Sequence, residues 1–263
     1  MSWVRKHLVL ILGIAVLVYT FVPIFVVVLM SFNDPASRLI YRFDGFTVHN
    51  WLNPCEDPSM CSALGRSIQI GLLSTVGATL LGTLAAFALV RHDFKGRSTA
   101  NLLIFLPMAA PEIVLGSSLL ALFVGAGFAG QLGFWTILIA HIMFCLSFVV
   151  VTVRARLAGL SDTLEQAAMD LYATPAQTFW KVTFPLVFPG ILGAALLSFS
   201  LSFDDFIVTN LNAGQTTTFP MYVWGVAQRG VPMQVNVVGT LMFVVSIAIV
   251  LGMELRNRRR VAA

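Results

Sequence analysis

Charged residues are scarce in this sequence. Asp, Glu, Lys and Arg together make up 11% of its 263 residues, whereas 58% are hydrophobic. A soluble domain carries about 25% charged and roughly 45–50% apolar residues. The composition therefore excludes an ordinary soluble domain and favours a chain that lies in lipid.

Lysine is especially rare, and the three lysines are Lys6, Lys95 and Lys181. None of them stands in the G-x-x-x-x-G-K-[ST] motif that cradles nucleotide phosphates. The chain is also without any patch in which basic residues alternate with aromatic ones, although its net charge is +4. The sequence therefore predicts no ATP site and no nucleic-acid partner.

Cysteine and histidine are too few and too dispersed for metal-ligand spacing, so we predict neither a metal nor a cofactor in this chain. His141 stands inside an apolar run, where we expect a packed side chain rather than a ligand. Cys55 and Cys61 share a hydrophilic loop on the predicted outer side, where oxidation is permitted. Two free thiols, a bond to a partner and a disulfide between them are all compatible with the sequence, and we favour the disulfide.

Several apolar runs reach the roughly 20 residues that a helix needs to cross a bilayer. The first is much longer than the core of a signal peptide and is expected to remain as an anchor. We predict an all-α membrane protein, residues 1–263 forming one transmembrane domain. Its six spans are predicted at about 8–31, 68–90, 101–126, 134–153, 187–208 and 234–253.

The basic residues predict the orientation, because cytoplasmic loops carry an excess of Lys and Arg. With both termini in the cytoplasm, twelve basic residues lie inside and four outside. The inside set is Arg5, Lys6, Arg91, Lys95, Arg97, Arg154, Arg156, Lys181, Arg256, Arg258, Arg259 and Arg260. The outside set is Arg38, Arg42, Arg66 and Arg229.

The longest hydrophilic segment on the predicted cytoplasmic side lies at about 158–185 and begins like a short amphipathic helix. Asp162 is placed to cap this helix, with Glu165 three residues later. Pro175 favours a break after it. The apolar positions follow helical spacing and are Leu164, Ala167, Ala168 and Leu171. Such a helix suits docking of a soluble partner, and it equally suits a helix that lies on lipid.

This segment resembles the EAA loop of ABC importer permeases, E-A-A-x3-G-x9-I-x-L-P. The matching residues are Gln166-Ala167-Ala168, then Tyr172, then Val182-Thr183-Phe184-Pro185, with Asp170-Leu171 among the similar flanking residues. Two positions depart from the motif. Gln166 replaces its glutamate, and Tyr172 replaces a glycine that would permit a sharp bend. Either the bend is made differently, for example at Pro175, or the partner's cleft differs.

Nearly the whole chain is similar to the second permease of spermidine/putrescine importers. The similar stretches are Ser31-Phe32-Asn33, Gly45-Phe46-Thr47, Pro111-Glu112-Ile113-Val114, Leu201-Ser202-Phe203-Asp204-Asp205 and Val235-Asn236. The resemblance implies a type I ABC importer permease fold in a bacterial inner membrane. It also implies a homologous second permease, an ATPase dimer that binds ATP and Mg, an external substrate-binding protein, and a polyamine cargo.

Three carboxylates fall within predicted spans: Glu112 in the third, and Asp204 and Asp205 in the fifth. A carboxylate near the bilayer centre costs about 2.5–3.5 kcal/mol on insertion scales, so these residues are expected to face the bundle interior. None of the six predicted spans contains a lysine or arginine to neutralise them, which favours a cationic cargo. Protonation, pairing with the second permease, or a position nearer the interface are the structural alternatives.

Tyr222 and Trp224 fall in the last outer loop. By the resemblance, they are candidates for an outer mouth where an aromatic face holds an ammonium group. A place in the interfacial aromatic belt is the alternative.

Two other classes of protein are alternatives for the whole chain: an ion-coupled secondary transporter, which needs internal repeats, and an intramembrane enzyme. Neither signature is visible, while a different cationic or zwitterionic cargo remains open.

Overall fold

The computed structural model describes residues 2–37, 41–161 and 163–261, with side chains for residues 7–37, 41–161 and 163–252. Asp162, predicted to cap the loop helix, and Arg38 lie outside the described residues. So do the side chains of Arg5 and Arg258, on which part of the orientation argument depends.

The described chain is built from helices. In chain order they are α1 (Ser2–Met30), α2 (His49–Leu52), α3 (Pro58–Arg91), α4 (Arg97–Ala109), α5 (Glu112–Gly125), α6 (Phe134–Ala158), α7 (Thr163–Asp170), α8 (Pro175–Thr178), α9 (Phe184–Asp204), α10 (Ile207–Asn212), α11 (Phe219–Ala227) and α12 (Met233–Val261). A π-helical turn, Phe179–Thr183, joins α8 to α9.

Among the described residues, five helical segments are long and apolar enough to cross a membrane. They are His7–Met30, Pro58–Arg91, Phe134–Ala158, Pro175–Asp204 and Met233–Gly252. The pair α4 and α5 also passes when taken together, although its axis bends by 111°. The described residues thus provide up to six spans, in line with the all-α, six-span prediction.

The prediction of one helix over 101–126 is wrong in detail, because the chain breaks between α4 and α5. Ala110 is extended, with φ −76° and ψ 137°, and Pro111 follows with ψ 134°. A proline disfavours the helical conformation in the residue before it and supplies no N–H for a helical hydrogen bond. Pro111 therefore accounts for the break in the third predicted span.

The fifth predicted span, 187–208, is displaced from the observed helix. The continuous helical segment begins at Pro175 and ends at Asp204. Thr174 caps its start: its Oγ1 accepts a hydrogen bond from Gln177 N at 3.3 Å, and its own N–H donates to Gln177 Oε1 at 3.0 Å. Proline is well suited to the first position of a helix, since the missing N–H would have had no partner there. Pro175 therefore begins the long helix as well as following a break.

One compact unit comprises Met1–Cys61 and Val223–Ala263. Helix α1 packs along α12, and Phe21 meets Phe243 edge to face at 6.3 Å between ring centroids. Asn33 holds the following loop: its amide donates to Arg42 O at 2.7 Å and accepts from Asp44 N at 2.9 Å. The Ser31-Phe32-Asn33 stretch thus serves as a loop anchor.

The second compact unit, Ser62–Tyr222, contains the main core. Helix α6 is its centre and packs extensively against α9. Helix α3 approaches α6 closely at Gly82, where an added Cβ would lie 2.7 Å from Val149 Cγ1. Close helix approach through glycine is typical of membrane bundles, where dispersion contacts provide much of the packing energy.

Candidate functional site

The predicted coupling loop folds as α7, a tight turn, and the start of the long helix at Pro175. Helix α7 ends in a Schellman motif: Ala173 N donates to Ala168 O at 3.1 Å, and Tyr172 N donates to Met169 O at 2.9 Å. These two bonds satisfy carbonyls that the helix end would otherwise leave without partners. The loop is therefore a locally well-defined helix–turn–helix.

Tyr172 occupies the left-handed position of this motif, with φ +63°. Glycine adopts that conformation freely, whereas other residues incur about 1–2 kcal/mol of steric strain. The bend is thus made at the motif's glycine position, although that position holds Tyr172. The alternative that the bend is made elsewhere, for example at Pro175, is therefore wrong. The tyrosine side chain is 96% exposed, so packing within this chain does not offset the strain.

Glu165 anchors α7 to the rest of its unit. Its Oε1 accepts a hydrogen bond from Arg91 Nη2 at 2.6 Å and another from Thr183 Oγ1 at 2.7 Å. Arg91 is the last residue of α3, and Thr183 lies just before α9. One carboxylate oxygen thus connects the loop helix to the ends of two predicted spans. The capping interaction predicted between Glu165 and Asp162 stays a prediction, because Asp162 lies outside the described residues.

No residue of α7 is buried. Among the predicted coupling residues, Leu171 is 82% exposed, Ala167 and Gln166 are exposed, and Ala168 is half-buried. Asp170 and Pro185 are also exposed. The loop thus presents small and apolar side chains outward, which is the surface that a partner or a lipid layer would cover.

A groove of about 790 Å³ runs beside this loop, between α3 and the long helix that begins at Pro175. Arg91 and Glu165 lie on its wall, and so do Thr79 and Thr83 of α3. Its remaining lining is mainly apolar and aromatic, including Phe184. The Glu165 bridge therefore stands at one side of an indented, mostly apolar surface.

Glu112 is the first residue of α5, directly after the bend, and not a residue within a straight span as predicted. It is exposed in this chain. One turn further along α5, Gly116 faces α10 so closely that an added Cβ would lie 2.8 Å from Leu211 Cδ1. The amide of Asn212 donates to Gly116 O at 3.2 Å. Glu112 therefore lies near the junction between α5 and α10.

Asp204 and Asp205 have different environments. Asp204 is the last residue of α9 and is exposed. Asp205 is 8% exposed and leaves the helix with φ −64° and ψ 126°. Its carboxylate caps α10, accepting from Val208 N at 3.4 Å and from Thr209 N at 2.7 Å. Only Asp204 of the two is open to a ligand in this conformation.

His141 of α6 packs beside Asp205. It is buried, with 1% of its surface exposed. Its Nε2 lies 3.3 Å from Asp205 Oδ2 and 2.9 Å from Thr209 Oγ1, and its Nδ1 lies 2.7 Å from Ser202 Oγ. The prediction of a packed His141 is confirmed. Of the three acids from which a cationic cargo was predicted, Asp205 has a basic neighbour within this chain.

The two aromatic candidates for an outer mouth also differ. Tyr222 is buried within its own unit, while Trp224 is exposed in the other. Trp51, a third aromatic residue in a predicted outer loop, stacks on Phe32 at 5.3 Å between ring centroids and donates to Ser31 Oγ at 3.1 Å. These contacts assign Trp51 a structural role, leaving Trp224 as the accessible aromatic side chain.

A disulfide between Cys55 and Cys61 joins the loop before α3 to the first turn of that helix. In the preceding loop, a hydrogen bond from the Arg42 guanidinium lowers the pKa of the Asp44 carboxyl, and the backbone N–H of Ala36 adds to the effect. Both features stiffen the polar segment between α1 and α3.

Sequence reasoning missed two arrangements: the Glu165 bridge to Arg91 and the network around His141. A signal for the second was present. His141 and Asp205 are an ionisable pair in neighbouring apolar runs, and intramembrane ionisable groups tend to pair with one another. The Arg91 contact joins residues 74 positions apart and had no local signal.

The family model described as "Binding-protein-dependent transport system inner membrane component" matches residues 78–261. The chain is 36% identical to the spermidine/putrescine transport system permease protein PotC of Escherichia coli, covering 93% of this chain and 91% of that protein. It is 34% identical to PotC of Haemophilus influenzae, covering 92% and 93%. It is 35% identical to the putrescine transport system permease protein PotI of Escherichia coli, covering 85% and 81%.

Two solved structures share the fold. One is a bacterial ABC transporter involved in the import of the acidic polysaccharide alginate, with a TM-score of 0.62 at 17% identity, covering 97% of both chains. The other is an amino acid ABC transporter with histidines, with a TM-score of 0.58 at 15% identity, covering 82% of this chain and 100% of that one. At these identities the likeness concerns the fold.

Proposed function

This chain belongs to the family of binding-protein-dependent transport system inner membrane components, and from that membership we propose that it forms half of the path by which an ABC importer carries spermidine and putrescine. The family makes it a transport subunit of the inner membrane and not an enzyme. It also excludes the ion-coupled transporter and intramembrane enzyme considered from the sequence. ATP is handled by a partner ATPase.

The single observation that carries the cargo proposal is the exposed carboxylate of Asp204 at the end of α9. It makes no ion pair with any residue that the structure describes. The relatives named above as polyamine permeases support a cationic cargo. Glu112, exposed at the start of α5, is the second proposed cargo ligand, and Trp224 a third contact. Asp205 and Tyr222 are buried, so we assign them to the support of the path.

The cargo proposal is tested by uptake of radiolabelled spermidine and putrescine into proteoliposomes that contain the complete importer. Asp204→Asn and Glu112→Gln nearly preserve volume while removing charge. Each should lower uptake about 10- to 100-fold, because a hydrogen bond to a charged group contributes about 1.5–3 kcal/mol. Asp93→Asn, the same change in an exposed acid of the α3–α4 turn, is the matched control. Wild-type uptake by both site variants, fully assembled, would contradict the proposal.

Other cationic or zwitterionic cargoes are the second candidate, supported by the same exposed carboxylate. Competition of spermidine uptake by unlabelled amines and zwitterions distinguishes them. Polyamines should compete at the lowest concentrations, and stronger competition by a zwitterion would replace the cargo assignment.

We further propose that α7 docks on the partner ATPase, with an ATPase dimer, a homologous permease and an external binding protein completing the importer. Support comes from the outward small and apolar residues of α7 and its rigid Schellman turn. Ala167→Asp places a charge on this surface and should weaken copurification of the ATPase. Gln177→Glu, a charge added outside α7, is the control. A lipid-facing helix would instead retain the ATPase in both variants.

The orientation, with both termini in the cytoplasm and the Trp51 loop outside, is proposed from the distribution of basic residues. A cysteine placed at position 258 should react with a membrane-impermeant maleimide only after the cells are opened, whereas one at position 48 should react in intact cells. Labelling of position 258 in intact cells would reverse the topology.

A further inference from the structure

A chain of buried hydrogen bonds connects four helices of the second unit around His141. Ser74 of α3 lies 2.8 Å from Ser202 of α9, and Ser202 Oγ lies 2.7 Å from His141 Nδ1. On the other side of the ring, Nε2 reaches Thr209 of α10 at 2.9 Å and the Asp205 carboxylate at 3.3 Å. All five residues are buried. A polar network of this kind in an apolar bundle fixes one arrangement, since each unpaired member would be costly.

The hydrogen-bond roles define where His141 carries a proton. Thr209 Oγ1 donates to Asp205 Oδ2 at 2.7 Å, which uses the only hydrogen of that hydroxyl. An ionised carboxylate only accepts. His141 Nε2 therefore faces two acceptors and must be the protonated nitrogen that donates to them. The imidazole thus holds the Asp205 carboxylate toward α6.

This contact decides where the neighbouring carboxylate points. Adjacent residues at a helix end project about 100° apart around the axis. With Asp205 held inward by His141 and by the N–H groups of α10, Asp204 is directed outward, where it is exposed. Without the imidazole, Asp205 would lose its only basic neighbour among the described residues. Its carboxylate would then be held inward only by Val208 and Thr209 of α10, and so less firmly.

We propose that His141 is a positioning residue for cargo: it fixes the turn between α9 and α10 so that Asp204, and not Asp205, presents its carboxylate to the transported cation. The proposal rests on the proposed function, in which Asp204 is a cargo ligand. His141 itself does not touch the cargo. Its effect on transport passes entirely through Asp204.

The test compares single and double variants in the proteoliposome assay with saturating binding protein, at equal amounts of assembled importer. His141→Leu should lower spermidine uptake about tenfold or more, similar to Asp204→Asn. The double variant should transport no worse than Asp204→Asn alone, because both changes remove the same interaction. The proposal would be overturned if the fold losses of the two single variants multiplied in the double variant, or if His141→Leu showed wild-type uptake.

Conservative variants separate positioning from general packing. Glutamine places an amide donor near the position of Nε2, whereas asparagine places its amide near Nδ1. His141→Gln should therefore recover most of the uptake that His141→Asn loses, even if His141→Leu fails to assemble. Equal uptake by the glutamine and asparagine variants would overturn the proposal.

The control is Cys145→Ala, which creates a cavity at an equally buried residue one turn along α6. It should leave uptake unchanged, and uptake that falls as far as in His141→Leu would overturn the proposal, because loss of packing alone would then account for the effect. Failure of the proposed function is distinguishable, since Asp204→Asn alone would then transport normally.

Discussion

Arg91, at the end of α3, donates a 2.6 Å hydrogen bond to Glu165 in the first turn of α7. Thr183 donates to the same carboxylate oxygen, so the loop helix is fixed to two spans at one atom. A movement of α7 relative to its unit would break a charged hydrogen bond. A displacement of α7 should therefore also displace the end of α3 and the start of α9, because both are hydrogen-bonded to Glu165.

Replacing Glu165 with glutamine should weaken this transmission. The amide retains an acceptor for Thr183 but loses its charge, so the hydrogen bond from Arg91 should weaken by about 1 kcal/mol. If coupling depends on this bond, the amount of cargo carried per ATP hydrolysed should fall roughly fivefold. The measurement is uptake and phosphate release on the same proteoliposomes. Thr183→Val, which removes one neutral hydrogen bond, should have a smaller effect. Equal coupling ratios in Glu165→Gln and wild type would show that the bridge is only structural.

Tyr172 allows a second prediction, because its left-handed backbone and its exposed ring have separable effects. Tyr172→Gly should relieve about 1 kcal/mol of strain and raise the melting temperature of the purified chain by about 2–4 °C. Tyr172→Ala retains the strain and should not raise it. Both variants lack the ring, so if the ring contacts the ATPase, both should weaken its association. A lower melting temperature for the glycine variant would contradict the strain argument.

Much of this architecture follows from composition and periodicity. Apolar runs of the required length identify spans without knowledge of their neighbours. The third run breaks at Pro111, whereas Pro107 lies inside α4. The 111° angle could not be predicted. Pro111 prevents the helical hydrogen bond at this point but does not determine the direction in which the next helix runs. That direction is set by packing, as where Gly116 admits α10 against α5.

The candidate site shows the same limit. The acids were identified because a carboxylate in an apolar run is costly wherever it points, but adjacent Asp204 and Asp205 are equivalent by that criterion. Their distinction comes from His141, which lies 64 positions before Asp205 in sequence and beside it in the fold. Likewise, the family motif gave the position of Tyr172, but only the fold showed that tyrosine accepts the glycine conformation.

The disulfide between Cys55 and Cys61 closes a small loop just before α3. A bond across such a short loop is worth about 2 kcal/mol in the chain-entropy account. Cys55→Ser with Cys61→Ser should therefore make the segment before α3 more sensitive to protease added outside. The cleavage rate should rise by roughly 30-fold where it follows the population of the open segment. Cys145→Ser is the control, since that thiol is buried and unbonded to sulfur. Unchanged cleavage in the double variant would show that the hydrogen bonds of Asn33 suffice.

The contact of α3 with α6 gives a final prediction, on packing. An alanine Cβ at Gly82 would lie 2.7 Å from Val149 Cγ1 and 3.2 Å from Leu146 O, closer than van der Waals contact permits. Gly82→Ala should therefore destabilise the chain by about 1–3 kcal/mol, although alanine favours a helix by about 1 kcal/mol over glycine. Thermal unfolding in detergent measures the change.

The matched control for this packing prediction is Gly65→Ala on the same helix, where an added Cβ meets nothing within 4 Å. Only the helix preference acts there, so that variant should be as stable as wild type or more so. Val149→Ala removes Cγ1, the nearest clashing atom, and keeps the Cβ at 2.8 Å. The double variant with Gly82→Ala should therefore recover part of the stability that Gly82→Ala alone loses. If Val149→Ala lowers stability equally in both backgrounds, the two helices do not meet at Gly82 as the structure describes.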